Sequence, residues 1–460
     1  MAGYTFLLIV VMTLIAYAIG RVTAGRLRRT PEGASMHSLP VYHGAFVAAW
    51  VGIPAFILLL LWLFLQGTVV DRLIIGSLPP SMVEGMDSSQ VELTLSEIKN
   101  VAAGRVFSEP TPDIRAAAER YEQWQAIARW AMVAVAFSVM VIAFGIARSK
   151  LAVRFRARNN FELILSALMI FCSLVAILTT LGIVASLLFE AARFFAVVPV
   201  SEFLFGLRWE PQIALRPDQI AGAGAFGAIP VFTGTILIAT IAMLVATPIG
   251  LFTAIYLVEY ANNTVRKIVK PIMEILAGVP TVVYGFFAVL TVAPAMREFG
   301  GVLGITLSPN SALAAGAVMG IMIIPFISSL SDDALNAVPR TMRDGSLALG
   351  ATPGETMTKV LLRAALPGIV GGILLGVSRA IGETMIVVMA AGLIASLTLN
   401  PLESVTTVTV QIVTLLIGDT EFDSPKTLAA FALGLVLFLV TLALNVIALQ
   451  VVRRYREQYE

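Results

Sequence analysis

Long apolar stretches separated by short polar ones dominate this chain. Runs near residues 3–20, 44–66, 130–147, 163–190, 229–258, 271–294, 311–330, 367–396 and 428–450 carry few or no charges inside them, and each reaches or approaches the roughly 20 residues a helix needs to cross a bilayer. Helices, not barrel strands, are the expected spanning unit, because a helix satisfies its own backbone in lipid. The pattern therefore predicts an all-α polytopic membrane protein with about nine transmembrane helices. Between the second and third runs, over about 67–128, the composition turns mixed and Pro79, Pro80, Pro110 and Pro112 punctuate it. This predicts a small external segment, whose Thr111-Pro112-Asp113 reads as a helix start leading into the third span.

Composition strengthens that picture. Hydrophobic residues make up 58% of the 460 and charged residues 13%, too few charges for a surface solvated on all sides. The net charge of +2 is gathered in short basic clusters beside the spans, which sets orientation and implies no nucleic-acid partner. Arg21, Arg26, Arg28 and Arg29 follow the first run; Arg148, Lys150, Arg154, Arg156 and Arg158 follow the third. Arg266, Lys267 and Lys270, then Arg340 and Arg343, then Arg453, Arg454 and Arg456 continue the alternation. The N-terminus is expected outside and the C-terminus in the cytoplasm. The first run lacks a basic leader and a small-residue cleavage site, so a retained anchor is expected. Cys172 is the only cysteine, which rules out a disulfide or a CxxC metal site within one chain and leaves packing. His37 and His43 lack Cys or carboxylate neighbours in sequence and read as interfacial; no metal site is expected.

Two segments stand out. Residues 338–367, VPRTMRDGSLALGATPGETMTKVLLRAALP, are long and polar beside the other cytoplasmic turns. A helix over Asp344–Leu349 should stop at Gly350, and Thr352-Pro353 should cap a second one over Gly354–Arg363. That would present a rigid knob, against the alternative of a plain solvated connection. In the eighth run, GILLGVSRAIGETMIVVMAAG, Arg379 and Glu383 stand four residues apart on one expected helical face. A charge at mid-bilayer costs about 2.5–3.5 kcal/mol on insertion scales, so an unpaired arginine there needs a reason. Either the two form a self-neutralising bridge, or both face a conduit where a guanidinium suits oxyanion geometry. Gly278, Pro280 and Gly285 read as a kink and close packing, Glu274 as a snorkelling side chain, and Asp332 and Asp333 as wet.

The 338–367 segment resembles the EAA loop of bacterial ABC-importer permeases. Asp344 stands at the Glu position, Gly345 and Ser346 at the two alanines and Gly350 at the glycine. Val360 replaces isoleucine, Leu362 matches, and Arg363 replaces the proline. Arg379-Ala380-Ile381-Gly382-Glu383-Thr384-Met385 resembles the RALGETM signature of the PstC-type phosphate permease family. Residues 202–211 resemble that family's external FLFGxxWxP stretch, and Gly234-Thr235, Glu259-Tyr260-Ala261 and residues 276–285 also fit. The resemblance implies a six-helix ABC-importer permease core over 161–460 and an N-terminal extension of three spans over 1–160. It implies ATP-driven import of inorganic phosphate, with Arg379 and Glu383 on the translocation pathway, where Thr384 beside them is also expected. It further implies that Asp344, Gly345, Ser346, Gly350, Val360 and Leu362 dock an ATP-binding subunit dimer.

The chain has no GxxxxGK[ST] loop, so ATP and Mg are expected on a partner ATPase, with no cofactor bound here and no catalysis by this chain. The implied partners are a PstA-type permease, a periplasmic phosphate-binding protein and membrane lipid, in the bacterial inner membrane. Two alternatives remain: a permease for another oxyanion (sulfate, molybdate, phosphonate), or an ATP-independent secondary carrier, which would need internal repeats and coupling-ion carboxylates.

Overall fold

The computed structural model describes residues 2–29, 36–79, 88–105, 111–212, 224–417 and 424–455; Pro80, Pro110 and Arg456 lie outside them. The chain divides into two compact units, Met1–Leu178 and Thr179–Glu460. In the first, α1 (Ala2–Leu27), α2 (Pro40–Gly76) and α4 (Pro112–Ser149) pack side by side around Ile9, Phe46, Val51, Leu59, Met132 and Met140. α3 (Ser88–Ala102) closes a second small core on the ends of α2 and α4, where Ile74, Ile98 and Ile114 meet and Lys99 pairs with Asp71 at 2.8 Å. As the sequence suggests, Thr111 caps α4, its hydroxyl accepting from the Ile114 amide. His43 is fully buried, because the start of α2 is enclosed by α1 and by the Phe155 ring. The division falls inside α5 (Ala157–Val197), where Cys172 is exposed rather than packed.

In the second unit α6 (Val200–Phe205) leads to a two-residue antiparallel pairing of β1 (Trp209–Glu210) with β2 (Ala225–Phe226). α7 (Ile229–Tyr260) follows, ending in a π turn over Tyr256–Tyr260. Then come α8 (Asn263–Ala277), α9 (Thr281–Val302), α10 (Ala312–Asn336), α11 (Arg340–Ala348), α12 (Pro353–Ile381), α13 (Met385–Ala390), α14 (Val408–Leu416) and α15 (Pro425–Tyr455). Among the described residues nine helices are long and apolar enough to span a membrane: α1, α2, α4, α5, α7, α9, α10, α12 and α15.

Two expected spans are corrected. The run at 271–294 is not one helix: α8 ends at Gly278, and Pro280, which pushes Val279 out of the helical region, starts α9. The run at 367–396 ends at Ile381. Beyond it α13, an irregular connection and α14 fold back into the unit, with Val405, Thr406, Thr407 and Val408 buried. Irregular backbone can be enclosed only where side chains satisfy it, and here Thr235 accepts from the Val408 amide while Gln411 donates to the Leu393 carbonyl.

α7 and α10 form the centre of this unit. Gly316 and Gly320, four residues apart, face Ile241 and Val245 and let the two backbones close up. A Cβ on Gly320 would sit 2.8 Å from the Val245 Cβ and 2.9 Å from the Ala242 oxygen. Gly320→Ala is therefore expected to cost about 1–3 kcal/mol, read as a lower thermal midpoint of the detergent-purified chain. An unchanged midpoint would show that the helices do not meet here.

Candidate functional site

Arg379 lies two residues before the end of α12, and the helix breaks at Gly382 before Glu383 can complete the next turn. Glu383 is instead buried at 9% exposure, its Oε1 accepting from the backbone amides of Met385 at 3.0 Å and Ile386 at 3.4 Å. Its carbonyl accepts from the Thr409 hydroxyl at 2.7 Å, fastening α14 to the break. The one-face ion pair expected from the sequence is thus replaced: among the described residues no ion pair joins Arg379 and Glu383. The carboxylate satisfies the start of α13, and the guanidinium lies 5.5 Å from the centre of the Phe326 ring on α10.

Arg379 borders a cavity of about 230 Å³. Its wall comes from α8, from Leu257 in the π turn of α7, from α10 (Met322 to Asp332) and from α12 through Arg379 alone. Glu383 and Thr384 do not line it. Ser328 and Ser329 offer hydroxyls, and Lys270 and Glu274 of α8 add one charge of each sign. α8 is amphipathic: Ile268, Ile272 and Ile275 are exposed, while Arg266, Lys270 and Glu274 follow one another at i, i+4 spacing along another face. Glu274, read as snorkelling from a span, therefore belongs to a helix that lies outside the spans.

Asp332 was the residue sequence reasoning missed. Its side chain is 7% exposed and accepts from Lys270 Nζ at 2.9 Å and Arg266 at 3.2 Å, docking α8 on α10. No local signal marked it, since a carboxylate one turn from a helix end reads as solvated; Asp333 beside it is exposed. Among the described residues no cluster of three or more metal-ligating side chains occurs.

The 338–367 segment forms the knob anticipated, with altered bounds. Its first helix, α11, begins at Arg340, and Gly350 turns the chain at φ +87°, a left-handed conformation that favours glycine. Thr352 and Glu355 make a reciprocal capping box at the start of α12. The second helix does not stop at Arg363; it runs through a π turn at Thr356–Leu361 and past Pro367 to Ile381. Asp344 and Gly345 are exposed, Val360 and Leu362 half-buried, and Ser346 bonds Thr356 across the turn at 2.9 Å. Leu349 at the tip is 91% exposed. Arg343 reaches back to Glu259 of α7 at 2.9 Å, and that carboxylate is 3% exposed.

A second buried polar node holds the folded-back segment. Gln411 accepts from the Trp209 indole at 2.8 Å and donates to Leu393 and Thr406. It ties the strand pair to α14.

Comparison with known proteins places these features in context. Residues 6–179 match the family described as phosphate ATP-binding cassette transporter, and residues 246–457 the binding-protein-dependent transport system inner membrane component. The probable ABC transporter permease protein YqgH of Bacillus subtilis is 34% identical over 59% of this chain and 84% of its own length. The phosphate transport system permease protein PstC of Xylella fastidiosa is 32% identical over 64% of this chain and 90% of its own. PstC 1 of Mycobacterium tuberculosis is 32% identical over 50% and 73%.

The Arg343–Glu259 pair yields a test of the knob's attachment. Arg343→Ala leaves a buried carboxylate without its cation and is expected to destabilise by about 3 kcal/mol. Adding Glu259→Gln should recover most of that in a thermal melt, and additive losses would mean the two side chains are not coupled.

Proposed function

We infer the function of this chain from its family: it belongs to the inner-membrane permeases of binding-protein-dependent ABC transport systems, among PstC-type relatives. It is the transmembrane subunit of an ATP-driven importer and carries inorganic phosphate across the bacterial inner membrane. ATP hydrolysis resides on a separate ATP-binding subunit dimer, a periplasmic phosphate-binding protein delivers the anion, and a PstA-type permease completes the pathway. The N-terminus is periplasmic and the C-terminus cytoplasmic, following the basic clusters.

The observation that carries this reading is Arg379, a guanidinium with no carboxylate partner among the described residues, on the wall of a cavity. A fixed fork of N–H donors matches a tetrahedral oxyanion. The Phe326 ring face stabilises the cation without supplying a competing negative charge. Arg379 and Glu383 take their pathway role from the resemblance, Thr384 is assigned there as the residue that follows Glu383, and Glu383 shapes the break that ends α12 beside Arg379.

Coupling rests on rigid connections. Asp344, Gly345, Ser346 and Gly350 lie in or beside the docking helix, and Val360 and Leu362 lie on the helix that leads to Arg379. From Pro353 to Arg379 the chain is one helix, roughly 40 Å at 1.5 Å per residue. Nucleotide-driven closure of the ATPase dimer would move that helix and, through Arg343 and Glu259, α7 with it.

Arg379→Ala is expected to abolish phosphate uptake by vesicles holding the whole importer while the subunits still co-purify. Wild-type uptake by that variant would refute the pathway role. Competition by sulfate, molybdate or phosphonate equal to that by phosphate would reassign the substrate, and uptake that persists without any ATPase partner would favour a secondary carrier.

A further inference from the structure

We propose that Lys270 is a second anion-contacting cation of the conduit, parked on Asp332 in this conformation and free to transfer its ammonium to a passing oxyanion. The proposal rests on the transport reading above and extends it to the non-spanning helix α8.

Lys270 and Arg379 border the same cavity from different elements, α8 and α12, with the Ser328 and Ser329 hydroxyls on the wall from α10. Asp332 holds two cations where one would satisfy it: Lys270 at 2.9 Å and Arg266 at 3.2 Å. A carboxylate this buried cannot be left unpaired. Because Arg266 stays when Lys270 departs, the exchange leaves no orphan charge. Arg266 is not among the residues that line the cavity, whereas Lys270 is, so the two cations are not equivalent. Chemistry divides them in the same way. Lysine carries a compact charge on a flexible stem, suited to swinging between partners, and arginine a planar fork suited to staying on one carboxylate. Lys270 is 44% exposed on its side chain and Asp332 only 7%, so the ammonium can reach the cavity without dragging the carboxylate.

Release follows from the same arrangement. Once the anion moves on, Asp332 recaptures Lys270, and the exposed Glu274 one turn along α8 opposes retention of negative charge in the cavity. Arg379 alone would offer one cation to an anion carrying up to two charges. Two cations, one of them lent by an internal carboxylate, bind it and let it go.

The test uses the assembled importer in lipid vesicles, with phosphate uptake and the thermal midpoint measured for Lys270→Gln, Lys270→Arg and Arg266→Gln. Loss of one charge-assisted contact predicts about tenfold lower uptake at limiting phosphate for Lys270→Gln, with the midpoint nearly unchanged because Arg266 still pairs with Asp332. Lys270→Arg should retain most uptake. Arg266→Gln should lower the midpoint more than the uptake. Wild-type uptake by Lys270→Gln, equal impairment of Lys270→Gln and Lys270→Arg, or equal behaviour of the two glutamine variants would each overturn the proposal and leave a structural ion pair. Wild-type uptake of phosphate is the control for the substrate reading itself. The ratio of variant to wild type, with whichever oxyanion the wild type carries, decides Lys270.

Discussion

A carboxylate taken out of water must be met by a cation or by N–H donors, and in the second unit three of them are. Asp332 is met by Lys270 and Arg266, Glu259 by Arg343, and Glu383 by two backbone amides. Each pairing fastens an element that the apolar periodicity alone would leave loose. The first holds α8 against α10, the second α11 against α7, and the third the short helix α13 against the end of α12. Among the described residues Arg379 is left on a cavity wall with no carboxylate partner, beside Lys270 and Asp332, which pair with each other.

Around those fastenings the helices pack by size rather than by hydrophobicity, which does not distinguish helix from lipid. Gly316 and Gly320 bring α10 against α7, and the resulting rigid pair carries both Asp332 and Phe326. The π turns at Tyr256–Tyr260 and Thr356–Leu361 sit where the two helices meet the knob, and such turns often mark functional positions.

The folded-back segment between Gly382 and Leu416 shows how a polar connection is enclosed. Threonines and one glutamine supply what water would have supplied: Thr409 to the Glu383 carbonyl, Thr235 to the Val408 amide, Gln411 to Leu393. A lipid-exposed loop could not hold this geometry. The break at Gly382 that leads into this enclosure sets Arg379 near the end of α12.

By itself the sequence determined the membrane class, the number of long apolar helices among the described residues, and the helix, glycine turn and helix of residues 338–367. These are local properties: length of an apolar run, a capping pair such as Thr352 and Glu355, a turn that only Gly350 adopts easily. It did not reveal that Arg379 and Glu383 part company, because i, i+4 spacing implies contact only while the helix continues, and Gly382 ends it. Nor did it reveal that Asp332 is buried, since its partners stand more than 60 positions earlier, on what reads as a cytoplasmic turn and is the first half of α8. Only the tertiary structure decides which charges meet. Pairing across such distances depends on how helices dock, and apolar patterning says that a helix is embedded without saying which neighbour lies against it.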